Sequence, residues 1–266
     1  MDAGTGTGVL ATFAARAGAG RVFAVDAAEM IHRAEQVFQR SGVDAVVETL
    51  RGDFGSVSLP ETLDVIVTET FGALALAEGA VDDLAACAKA HLKENGTVIP
   101  HRIDFFVAPV GASRLRDEAF GPFLQVEGVD LSPLVEVATH RAVTVQARTD
   151  DLLTAAQCFA QLPFPMGGNH VEGTAHFDLP DEGAVLGLLA WYDLHLAPGV
   201  VLSTSPSAPA THWGQCFLPL PEQPTAGQAL DLDLEVAPAP DDRRSLEVTA
   251  HLRLGERASR GSWRVR

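Results

Sequence analysis

The sequence predicts an α/β domain built on a parallel sheet, followed by an antiparallel β domain. Three observations carry that reading. Short apolar runs alternate with helix-like segments over the first hundred residues. The apolar period changes to two from about Ile103. A glycine-rich turn at Gly4, Gly6 and Gly8 is followed, eighteen residues after Gly8, by Asp26 at the end of the next apolar run. At 266 residues the chain is long enough for two domains, each with a core.

The first helix-like segment, Val9–Ala17, follows the glycine turn directly. Strand-type runs at Val22–Val25 and Val46–Leu50 flank a second helix-like segment, Met30–Ser41. A third run, Val65–Thr68, precedes the helix-like Gly79–Lys93, which stops at Asn95-Gly96. Gly96–Pro100 reads as the next strand, with Pro100 at its end. The boundary therefore falls near 100–103, giving domains at 1–102 and 103–266. In the second half, Leu230, Leu232, Leu234 and Val236 alternate with acidic residues. Leu246, Val248, Ala250, Leu252 and Leu254 alternate across the turn at Asp241–Arg244, so the two runs predict a hairpin. Val185–Leu196 and Gly214–Leu220 are further strands of a sandwich or barrel, and Pro163–Gly168 is a joint. Glu118–Thr149 has mixed periodicity and reads as an inserted arm.

Nineteen basic residues against 35 acidic ones give a formal net charge of −16, which repels phosphate backbones and anionic lipid. Neither nucleic acid nor a membrane surface is an expected partner. The same field attracts a basic peptide or a cationic small molecule, and it also serves plain solubility. Cys87, Cys158 and Cys216 stand singly, so no zinc cluster or disulfide framework is indicated and no metal is expected. The N-terminus has no basic, apolar leader pattern and no stretch approaches about 18 apolar residues, so the expectation is a cytoplasmic chain.

Two loops carry chemistry. In Asp2-Ala-Gly4-Thr-Gly6-Thr-Gly8 the glycines let backbone approach a ligand, and Asp26 is placed to accept both hydroxyls of a ribose. A dinucleotide fingerprint needs a glycine at position 9, which is Val9. The other loop puts Glu69 and Glu78 nine residues apart across a neutral stretch just after a strand end. Two carboxylates converging there suit a guanidinium, planar and always charged. Alternatively, Glu78 simply favours the positive end of the following helix.

The Asp-x-Gly-x-Gly-x-Gly order resembles the first motif of class I S-adenosylmethionine-dependent methyltransferases. The Glu69–Glu78 loop is similar to the double-glutamate loop of protein arginine methyltransferases, and Thr211-His212-Trp213 to that family's Thr-His-Trp loop. Ala14–Gly18, Ile99-Pro100 with Arg102, and Leu188–His195 extend the resemblance over nearly the whole chain. It implies a Rossmann-like methyltransferase domain followed by a β-barrel, with S-adenosyl-L-methionine as cofactor. It places Asp2, Gly4, Gly6, Gly8, Asp26, Asp53 and Phe54 in the cofactor set, with Asp53 facing adenine. Glu69 and Glu78 hold the guanidino group of an arginine in a protein or peptide, or of a small molecule such as free arginine. Phe71 and Trp213 belong to the substrate pocket, and His212 either takes the proton or holds its loop. A homodimer made through the 118–149 arm is also implied. A third reading keeps the fold as a non-catalytic scaffold.

The sequence departs from the family's pattern at Thr70 and Phe71, where tryptophan and methionine are common, and at Gly55, in place of a glutamate near adenine. Met1 stands one residue ahead of Asp2, where the fold needs a central strand. The expectation is a chain shortened at its front, its neighbouring strands short of ladder partners, that binds S-adenosylmethionine weakly or not at all.

Overall fold

The computed structural model describes residues 1–165, 168–182, 184–220 and 227–265, and leaves aside the side chains of 122–126 and 136. Met166 and Gly167 of the predicted joint lie outside the described residues.

The first half is an open, wholly parallel sheet of β1 (Asp2–Ala3), β2 (Val22–Asp26), β3 (Val47–Arg51), β4 (Leu63–Thr68) and β5 (Leu92–Ile99), in the order β3-β2-β1-β4-β5. Helices α1 (Val9–Arg16), α2 (Ile31–Ser41) and α3 (Ala80–His91) connect them. The helix α2 forms because Ile31, Ala34 and Phe38 recur on one face and are buried, and Gly42, in the left-handed region, ends it. In α3, Asp82 and Asp83 occupy the first turn and Lys89 and His91 the last, both favourable to the helix dipole. The helix stops at His91, so the next strand starts four residues before the predicted Gly96.

The central strand is present as a stub. Asp2 and Ala3 pair with Ala24 and Val25 on one side and with Val67 and Thr68 on the other. The Met1 ammonium donates to the Val65 carbonyl at 2.7 Å, and the Val67 N–H donates to the Met1 carbonyl at 2.9 Å. A cavity of about 480 Å³ lined by Met1, Val22, Phe23, Leu63 and Val65 flanks the first half of β2 and β4. The sheet is thus bridged at the end that carries the glycine turn, and open at the other.

The chain leaves the parallel sheet at Ile99 and enters the antiparallel half at β6 (Arg102–Val110). There follow α4 (Ser113–Leu124), β7 (Gln125–Val126), β8 (Val129–Asp130), α5 (Val135–Ala138) and β9 (Val143–Val145). The stretch of mixed period therefore holds the end of α4, the short α5 and one tiny hairpin of β7 and β8, joined by turns and loop. The remaining strands are β10 (Gln157–Pro163), β11 (Val171–Asp178), β12 (Gly187–Ala197), β13 (Val200–Ser203), β14 (Gln215–Pro219), β15 (Ala229–Ala239), β16 (Asp242–Leu254) and β17 (Arg257–Val265). One sheet runs β10-β6-β12-β14-β9, with β13 on β12; the other runs β11-β15-β16-β17.

The leucines and valines of β15 and β16 are buried on one face, as period two requires. The two sheets share a core and are joined at one edge, where Arg264 exchanges backbone hydrogen bonds with His140 and Ala142, closing a flattened barrel. That core is continuous with the nucleotide-type domain: Phe71, Leu74 and Leu76 belong to the same buried cluster as Leu188, Tyr192 and Trp263.

Candidate active site

Gly4, Gly6 and Gly8 all have positive φ, at 75°, 52° and 85°. A Cβ on Gly4 would lie 2.0 Å from Thr70 Cγ2 and one on Gly8 2.4 Å from the Phe38 ring, so both positions exclude side chains by space as well as torsion. Asp2 lies beneath this turn rather than against a ligand. It is 1% exposed, and its Oδ2 accepts from Thr5 Oγ1 at 2.6 Å and the Ala11 N–H at 2.9 Å. Burial pushes its pKa up against those two hydrogen bonds. Its work is to tie the turn to the start of α1.

At the end of β2, Asp26 Oδ2 accepts the Gly6 N–H at 2.7 Å and Oδ1 the Ala28 N–H at 2.8 Å, so the carboxylate is aimed and each oxygen keeps lone-pair capacity. Gly4, Asp26, Asp53, Phe54, Thr70 and Glu78 line one cavity of about 480 Å³, whereas Asp2, Gly6 and Gly8 are not among its lining residues. Its residues fit an adenosine-bearing ligand, because an oriented carboxylate stands where sugar hydroxyls need an acceptor and Gly4 leaves backbone bare beside it.

Three residues that sequence reasoning missed also line this cavity: Asp83, Arg243 and Arg244. The signal for Asp83 was the departure at Gly55. A Cβ there would meet Asp83 Cβ at 2.9 Å and its Cα at 3.1 Å, so α3 occupies the space a larger residue would need. No local signal marks the arginines, which read as turn residues.

The double-glutamate loop is held in uncommon backbone. Leu74, Ala75 and Glu78 have φ of 49°, 57° and 70°, in the left-handed region that non-glycine residues rarely adopt. What holds it comes from the barrel. Trp213 Nε1 donates to the Phe71 carbonyl, and Tyr192 Oη donates to the Gly72 carbonyl at 3.4 Å. The Phe71 side chain is buried, 6.4 Å from the Phe164 ring centroid, so it supports the loop from inside rather than standing open to an acceptor. Glu69 and His212 are exposed, with Glu69 Oε1 3.7 Å from His212 Nε2. The His212 and Trp213 rings lie 4.4 Å apart. Burial raises the Glu69 pKa, and His212 opposes that shift. The structure thus gathers Glu69, His212 and Trp213 into one contact group, and puts Glu78 in the adjoining cavity wall.

A cavity at the strand ends with an aimed carboxylate and a glycine turn, joined to a carboxylate loop, defines a nucleoside-dependent group-transfer enzyme of the methyltransferase class. Residues 1–96 match a family model described as a methyltransferase domain, and residues 101–257 match one described as the arginine methyltransferase oligomerization subdomain. The chain belongs to the arginine methyltransferase family.

It is 28% identical to protein arginine N-methyltransferase 1 of Saccharomyces cerevisiae over 261 residues, 93% of this chain and 74% of that one. It is 28% identical to protein arginine N-methyltransferase 6 of Xenopus laevis over 272 residues, 96% of this chain and 79% of that one. Against the histone-arginine methyltransferase CARMER of Drosophila persimilis, the match of 29% covers 96% of this chain and 50% of that longer one. The fold superposes with a TM-score of 0.90 on a chain of the Trypanosoma brucei PRMT1 enzyme–prozyme heterotetrameric complex with AdoHcy, at 22% identity, covering 100% of this chain and 88% of that chain.

Proposed function

We propose that the protein transfers the methyl group of S-adenosylmethionine to a guanidino nitrogen of arginine in a protein or peptide. The observation that carries this reading is the placement of Glu69 beside His212 at a solvent-open site, with Glu78 in the wall of the cavity that suits the cofactor. When bound, S-adenosylmethionine supplies an electrophilic methyl on a positively charged sulfur. Asp26 holds ribose, Gly4 lets the cofactor approach the backbone, and Asp53 with Phe54 borders the base. Glu69 and Glu78 draw the positive charge of a guanidinium toward the nitrogens they hold, leaving another nitrogen its lone pair for attack. Positioning supplies most of the rate. His212, 3.7 Å from Glu69, stands beside that carboxylate at a solvent-open position from which the released proton can leave to water.

The exposure of Glu69 and His212 favours an acceptor arginine on a peptide over a small molecule that a site would enclose. Assaying arginine-bearing peptides against free arginine tests this: methyl transfer to the peptide is expected to dominate, and transfer to free arginine alone would select the small-molecule reading. Transfer to neither, with cofactor bound, would select the scaffold.

The homodimer is proposed on apolar exposure. Val129, Leu134 and Val137 on the arm, and Val9, Phe13 and Met30 on the first domain, are among the most exposed large apolar residues described. Val137→Asp should shift sedimentation toward monomer; an unchanged sedimentation coefficient removes the arm from the contact. Among the described residues no helix is long and apolar enough to cross a membrane. The three free cysteines support the reading of a reducing compartment, the cytoplasm.

A further inference from the structure

The cofactor cavity has one wall that comes from the other domain. Arg243 and Arg244, at the start of β16, line it together with Asp53 and Asp83. Of the described residues lining it, they are the two that the barrel provides. They stand on the hairpin between β15 and β16, whose tip is pinned. Asp242 Oδ1 accepts the Arg244 N–H at 3.0 Å, its Oδ2 accepts from Ser245 Oγ at 2.6 Å, and Arg264 pairs with Asp241.

Their position within the cavity follows from their neighbours. The charges of Asp53, Arg243 and Arg244 all act on the Asp83 carboxyl, and Gly55 lies against Asp83. The arginines therefore share the cavity wall with Asp53 and Asp83, and Glu78 lines the same cavity. Arg21, Arg51, Arg114 and Arg264 each lie within 4 Å of a carboxylate, whereas among the described residues neither Arg243 nor Arg244 has one at that distance. Two cations thus face a cavity with acidic residues in its wall and are not spent on the nearest acid. A guanidinium is a flat cation that stacks on aromatic faces and donates to ring nitrogens, and adenine offers both.

We propose that Arg243 and Arg244 form the barrel's side of the adenine subsite, so that the base is held between the two domains. This rests on the reading that the cavity takes S-adenosylmethionine. Cofactor binding then fastens the β15–β16 hairpin to the nucleotide-type domain, and the base, rather than the methyl group, is the bolt. Both arginines are positioning residues for the nucleoside and take no part in the chemical step.

The test is calorimetric titration of S-adenosylhomocysteine and of adenosine into the full chain and into R243A/R244A. The variant is expected to bind both ligands about tenfold more weakly, which corresponds to about 1.4 kcal/mol. Its melting temperature without ligand should stay near the native value, because the two side chains are exposed and, among the described residues, have no carboxylate within 4 Å. In R243K/R244K, which keeps the charge and loses the plane, binding should stay weaker than native. Native-like affinity of R243A/R244A for both ligands would overturn the proposal and leave the methyltransferase reading standing. Weakened binding of S-adenosylhomocysteine with unchanged binding of adenosine would also overturn it, by moving the arginines to the amino-acid end. If the native chain bound neither ligand, the cofactor reading itself would fall, and this proposal with it.

Discussion

The two loops that make the site are built in opposite ways. The glycine turn is assembled from within its own domain: its torsions suit its residues, Asp2 and Asp26 tie it down, and the space it needs is cleared by absent side chains. The double-glutamate loop works against its residues. Leu74, Ala75 and Glu78 sit in the left-handed region and are held there by Tyr192 and Trp213, more than a hundred residues away. The glycine turn is thus locally determined, while the double-glutamate loop depends on the barrel.

Substitutions break this contrast in graded steps. The largest effect is expected at the carboxylates: Glu78→Gln or Glu69→Gln should lower kcat by a factor on the order of 10²–10³, while affinity for S-adenosylhomocysteine stays within about twofold. Equal loss of binding and turnover would show that the two loops are not separable. Next comes Gly4→Ala, which adds left-handed strain to a collision with Thr70. It should destabilise the fold by about 2–4 kcal/mol and weaken the cofactor, whereas Gly6→Ala, with nothing within 4 Å of the new Cβ, should cost about 1 kcal/mol. Denaturant midpoints that fail to separate the two would remove the steric part of the argument.

A third step uses pH. Burial raises the Glu69 pKa, so its carboxylate is lost earlier as pH falls, and turnover should decline at a higher pH than an ordinary carboxylate dictates. His212 opposes that shift, so His212→Ala should move the acidic limb of the profile higher still; a limb that stays in place would separate His212 from Glu69. The same sign makes ionised Glu69 a cost to the fold at neutral pH, absent once the group is protonated. The smallest change in stability is expected from Glu78→Gly. Relief of φ 70° should stabilise the fold by about 1 kcal/mol, or roughly 2–4 °C in Tm, while turnover is lost. A lower Tm would show that the backbone there is not strained.

These same two loops show how far the sequence could be read. Glycines with positive φ and a carboxylate at a fixed distance are local signals, and Gly4, Asp26 and Asp53 line the cavity as their pattern suggests. Glu69 and Glu78 were legible by spacing, but the backbone that presents them was not, because ordinary residues are forced into it by distant partners. Phe71 illustrates the limit: its place in the motif points to the acceptor, and its ring is inside the core while its carbonyl serves Trp213. In the barrel, β15 and β16 alternate cleanly and were visible. The edge strand β17 was not, because Arg257, Ser259 and Arg260 face water and Trp263 and Val265 alone mark its buried side. Arg243 and Arg244 sit some two hundred residues from Asp53, a proximity no window of sequence contains.

The continuous core has a consequence for how such a chain can change. Because Tyr192 and Trp213 set the conformation of a loop whose carboxylates belong to another domain, a drift in barrel packing registers as altered catalysis before it registers as instability. On the proposed function, the barrel thus shapes the presentation of two carboxylates it does not supply, and exchange of either half for a homologous one is expected to alter turnover.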